Sequence, residues 1–114
     1  MSIRRQIRKI TVKVEENRKK FTLEYCTLEK EICLEGAAHK TYGIEVLKQE
    51  YTDAGTMRIE YRKIFDIFCT EQEAIATCRL LCDNTVTPVS LKDIIEQLIG
   101  TDEIEYEEYE VMAV

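Results

Sequence analysis

Cys78 and Cys82 stand four residues apart, a spacing that on a helix turns both thiols the same way and could let them bind a metal with Cys26, Cys33 or Cys69. Acid-base chemistry would have to use His39, the one histidine. Neither has the company its chemistry needs. The cysteines lack the tight C-x-x-C knuckles of structural zinc sites, and Cys78 and Cys82 share an apolar stripe with Ile75, which is the pattern of core packing. His39 falls in the turn-like stretch Gly36-Ala37-Ala38-His39-Lys40, where a lone exposed histidine is a bystander. A Gly-rich phosphate loop, a nucleophile elbow and an acid pair at motif spacing are all missing from the sequence. Tyr25, Tyr42, Tyr51 and Tyr61 lie on strand-like stretches and read as half-buried sheet residues rather than a ligand cage. No catalytic, metal or cofactor-binding residue is assigned, and the chain is expected not to be an enzyme.

Charge gives the stronger signal. Residues 1–20 carry Arg4, Arg5, Arg8, Lys9, Lys13, Arg18, Lys19 and Lys20 against Glu15 and Glu16, whereas residues 101–114 carry Asp102, Glu103, Glu105, Glu107, Glu108 and Glu110 with no base. The two ends are electrically opposite. The acidic segment also contains Ile104, Tyr106, Tyr109 and Val111, and alternation of Ile104 and Tyr106 with glutamates could form a short strand that adds to a sheet edge of this or another molecule. The candidate interaction residues are therefore Arg4, Arg5, Arg8 and Lys9 at one end and Ile104, Tyr106, Tyr109 and Val111 at the other. Three readings compete: a basic arm on nucleic acid, arm paired with tail within or between chains, and a solvated strand start with a disordered acidic tail. The pI of about 4.9 and the lack of aromatics before Phe21 count against nucleic acid.

These residues must be positioned by the elements between them. Ile10, Val12 and Val14 alternate with polar residues, as do Phe21, Leu23 and Tyr25, and the polar link from Glu15 to Lys20 joins them as a hairpin. Glu31 to Leu34 is either a separate short strand or a continuation of the second. Tyr42, Ile44 and Val46 mark a further strand reaching toward Tyr51, and Asp53-Ala54-Gly55 is a turn. Ile59, Tyr61, Phe65 and Ile67 then share one face of a long strand, and because Ile64 and Phe68 break the alternation either a bulge near Lys63 or burial of both faces at the strand's end is expected.

Two helices follow. Thr70 and Glu73 form a capping box before an apolar stripe of Ala74, Ile75, Cys78, Leu81 and Cys82, and Asn84 is the expected left-handed stop. Pro88 ends that run, and a second helix is expected from Ser90, stapled by Val89 and Ile94, burying Leu91, Ile94, Ile95 and Leu98 and ending at Gly100.

At Tyr42-Gly43-Ile44-Glu45-Val46 and at Val86-Thr87-Pro88-Val89-Ser90-Leu91-Lys92-Asp93-Ile94-Ile95, the chain resembles a family of short uncharacterised proteins from Gram-positive Firmicute bacteria, a domain of unknown function. The resemblance covers roughly residues 21–100. It implies a fold and a bacterial origin and no activity.

The expected architecture is α+β: an antiparallel sheet of four to five strands followed by two C-terminal helices packed on one face. Residues 1–100 form a single domain with a basic N-terminal arm, and residues 101–114 an acidic C-terminal tail. With 114 residues, one core suffices. No apolar run reaches the roughly 20 residues that span a bilayer, and no h-region follows the basic start, so a cytoplasmic location away from membranes is expected. Five cysteines at irregular spacing suit free thiols in a reducing compartment. The expected role is a non-enzymatic interaction or regulatory module that self-associates or binds an unknown protein partner; the alternative is a nucleic-acid-associated protein using the arm.

Overall fold

The computed structural model describes residues 2–17, 19–100 and 105–113. Four strands come first: β1 (Ser2–Glu16), β2 (Lys19–Leu34), β3 (Ala37–Tyr51) and β4 (Met57–Phe68). Helices α1 (Glu71–Asp83) and α2 (Pro88–Ile99) follow, and a last strand, β5 (Glu105–Ala113), returns to the sheet. All neighbours are antiparallel, in the order β1-β2-β3-β4-β5. The fold is thus the expected α+β, with one strand placed after the helices.

Period-2 alternation sends Val12, Val14, Phe21, Leu23, Tyr25, Ile44, Val46 and Ile64 toward one face, where Ala74, Cys78 and Leu81 of α1 and Leu91 and Ile95 of α2 close the core. Tyr25 sits at its centre, fully buried, and its hydroxyl donates to the Val86 carbonyl at 2.8 Å. That bond ties the link between the helices to the sheet, and burial raises the phenol's pKa.

The strands outrun the helices. A 16-residue strand spans about 50 Å, in keeping with the 54 Å long axis, whereas helices of this length reach about 20 Å. Beyond them the same face is covered by charge: Lys48 pairs with Glu50 at 3.5 Å and lies over the Phe21 ring at 4.5 Å, and Arg58 pairs with Glu60 at 3.1 Å. A face left uncovered by helices is thereby kept from presenting bare apolar surface.

Several local expectations shift. Glu31 to Leu34 continues β2, so the hairpin turns at Glu35 and Gly36, both with positive φ (51° and 77°) as a primed turn requires. His39 consequently lies on β3, exposed and paired with Ile32, rather than in a turn. Both readings of the end of β4 hold: Ile44 pairs with Ile64 but Tyr42 with Phe68, so a bulge follows just after Lys63, with Asp66 at φ 51°, and Ile64, Phe65 and Phe68 are all buried.

The capping box at Thr70 forms, its hydroxyl accepting from the Glu73 N–H at 3.2 Å, although the Glu73 carboxylate accepts from that hydroxyl rather than from a backbone N–H. Past α1 it is Thr85, not Asn84, that takes positive φ (46°); Asn84 instead donates its side-chain amide to the Leu80 carbonyl. Helix α2 starts at Pro88 with Thr87 as N-cap, two residues before Ser90, because proline at the first helical position sacrifices no intrahelical bond. That start moves the staple from Val89 and Ile94 to Val86 and Leu91, both buried, and leaves Val89 and Leu98 exposed.

Candidate functional site: the charged edges of the sheet

The basic and acidic segments become the two edges of one sheet. Arg4, Arg5, Arg8 and Lys9 lie on β1, Tyr106, Tyr109 and Val111 on β5, and three strands separate them. Ile104 lies outside the described residues. Among the described residues the arm and the acidic segment therefore do not meet within one molecule, and residues 105–113 are a strand rather than a tail.

On β1 the basic side chains answer carboxylates of their own sheet. The Arg5 Nε donates to Glu29 at 2.9 Å and its Nη2 stands 2.7 Å from the same oxygen; Glu29 is 4% exposed, so the pair neutralises a buried charge. Lys9 pairs with Glu24 at 3.4 Å. Arg4 crosses the face opposite the helices, lying over the Phe65 ring at 4.0 Å and 3.7 Å from Asp66. Arg8 and Lys13 make no ion pair among the described residues, and both are exposed.

The face opposite the helices is closed by two carboxylates. Asp66, turned by the β4 bulge, accepts from Thr41 at 2.7 Å and Lys30 at 3.3 Å. Glu45 accepts from the Tyr61 hydroxyl at 3.0 Å and Gln6 at 3.3 Å, with Lys63 at 3.6 Å. Each carboxylate gathers donors from more than one strand, which staples the sheet and leaves these groups hydrogen-bonded.

On the other edge, Arg62 of β4 is bracketed by two glutamates of β5. Its Nε is 3.0 Å from Glu108 and its Nη2 3.5 Å from Glu110, while its Nη1 donates to the Tyr61 carbonyl at 3.0 Å. Lys92 of α2 stands over the Tyr106 ring at 5.0 Å. Arg62 and Lys92 were not among the candidate residues; the signal for Arg62 lay in the basic residues of β4, Arg58, Arg62 and Lys63, set against an acidic segment of matching length.

The cysteines are distributed over the whole fold. Cys26 is buried on the face opposite the helices and Cys78 under α1; Cys33 and Cys69 are exposed, and Cys82 is half-buried. All five are free, and among the described residues no three His, Cys, Asp or Glu side chains converge as metal ligands would. Burial, with Glu45 beside it, pushes the Cys26 thiol up to about 11, and burial also raises Cys78 despite the Thr27 hydroxyl facing it. Native protein at pH 8 is expected to label first at Cys33 and Cys69 and to leave Cys26 and Cys78 unmodified until denaturant is added. Mass spectrometry after timed alkylation checks this; early label on Cys26 would contradict its buried placement.

No helix among the described residues is long and apolar enough to cross a membrane. No curated protein and no solved structure matches the chain. Residues 5–101, from Arg5 on the basic edge to just past the end of α2, match the family of unknown function DUF6514, and the chain belongs to that family.

Proposed function

We propose that the chain is a non-enzymatic interaction module that associates with itself through the edges of its sheet, in the reducing cytoplasm of a bacterium. One observation carries the reading: the sheet ends in two strands of opposite charge, β1 with Arg4, Arg5, Arg8 and Lys9 and β5 with Glu107, Glu108 and Glu110. An edge strand offers unpaired N–H and C=O groups to another chain. Like edges repel, so β1 against β1 and β5 against β5 are disfavoured, and β1 of one copy against β5 of the next is the pairing that charge permits. The free thiols support the reducing setting, and the bacterial one is what the sequence resemblance at Tyr42–Val46 and Val86–Ile95 implies. A nucleic-acid role for β1 is the weaker reading, since the net charge of the chain is −6.

Sedimentation velocity of the native chain should show concentration-dependent association at low salt that is lost near 1 M salt, where screening acts within about 3 Å. The Arg8→Glu/Lys13→Glu variant, which breaks no ion pair among the described residues, should remain monomeric at low salt. A native chain that is monomeric throughout, or association that the variant leaves unchanged, would remove the proposal.

A further inference from the structure

We propose that the β4 edge is a receptor for an extended acidic peptide from a partner protein, and that β5 is an intramolecular occupant which such a peptide displaces. The receptor chemistry is visible in how β5 is held. Arg62 has a side chain only 12% exposed, and its guanidinium takes two carboxylates, Glu108 and Glu110, spaced two residues apart on one side of the strand. Lys92 reads the aromatic ring two residues before them, at Tyr106. The site thus favours a strand with an aromatic residue and two acids at alternate positions, paired in antiparallel register from Met57 to Phe65.

What holds β5 is also what makes it exchangeable. Its described side chains, Tyr106, Glu107, Glu108 and Glu110, are all exposed, and its two partners for Arg62 are more than half so. With none of those four side chains in the core, these positions add little burial to the backbone ladder, which places them toward the low-stability end of a fold. An independent observation concerns the family: its match ends at residue 101, so the matched stretch includes the β4 edge and Arg62 and stops short of the strand that covers them. In this chain a tethered acidic strand competes for that edge at high effective concentration and excludes weak ligands.

The inference does not rest on the β1 edge. The probe is a fluorescent nine-residue peptide with the sequence of residues 105–113, titrated by anisotropy into three full-length chains. Glu108→Lys/Glu110→Lys, which weakens the internal strand and leaves the receptor whole, should bind the peptide about tenfold or more tighter than the native chain. Adding Arg62→Gln to that variant should abolish the gain, whereas adding Arg8→Glu/Lys13→Glu should not. Hydrogen exchange on the native chain should show β5 amides exchanging well ahead of those of β2 and β3. Equal affinity for native and Glu108→Lys/Glu110→Lys chains, a gain that survives Arg62→Gln, or β5 amides as protected as β2 would overturn the proposal.

Discussion

Gly43→Ala should destabilise the chain by about 3 kcal/mol or more, or prevent it from folding. A Cβ at this position would overlap the carbonyl oxygen of Ile64 and stand 3.2 Å from the Cα of Phe65. Both are backbone atoms, so no side-chain rotation relieves the clash. The cause lies in the β4 bulge: between Ile64 and Phe68 that strand spends four residues where β3 spends two, and the extra backbone leans onto Gly43. Relief would mean opening the bulge, which also carries Asp66 and its bonds to Thr41 and Lys30. His39→Ala, an exposed position on the same strand, should stay within about 0.5 kcal/mol. Urea midpoints of the two variants test this directly, and equal midpoints would mean that the close approach of β3 and β4 is not real.

The glycine also shows what kind of information the sequence holds. The segment Tyr42-Gly43-Ile44 stood out as a motif, but alternation could only place it on a strand; its reason is a contact with a residue more than twenty positions away. Local chemistry was legible. The Thr70 cap, the Asp53-Ala54-Gly55 turn and the alternation of the first four strands each depend on neighbours within a few residues. Features set by competition between two local rules were harder to read. Pro88 does not continue α1, but it opens α2 two residues ahead of Ser90, because a missing N–H is harmless in the first turn, and this moves the staple and the buried stripe of α2 with it.

The candidate site was legible by composition and not by arrangement. Opposite charge at the two ends is plain in the sequence, and attraction between them is a natural expectation. Topology overrides it. The consecutive order of the five strands puts β1 and β5 at opposite edges, so the acidic strand finds its cations on β4 instead. The same topology leaves Arg8 and Lys13 facing solvent, which is why they, rather than Arg5 with its buried Glu29 partner, are the residues that test association.

Ile95→Ala should cost about 2–5 kcal/mol, and Leu98→Ala no more than about 0.5 kcal/mol, although the sequence places both on one apolar stripe. Ile95 is fully buried, packed in the cluster with Leu91, Val86 and Ile64, so truncation loses transfer energy and leaves a cavity that the sheet beneath cannot fill. Leu98 is 51% exposed and has little to lose. Ile94, half-buried at the edge of the cluster, should fall between them. The ranking follows from the helix start: beginning at Pro88, α2 turns Pro88, Leu91 and Ile95 inward and carries Leu98 past the rim. Urea denaturation of the three variants, compared at equal slope so that midpoints report stability alone, distinguishes this orientation from one begun at Ser90. A Leu98→Ala cost matching that of Ile95→Ala would mean that α2 is rotated about its axis, and Lys92 would then no longer stand over Tyr106 of β5.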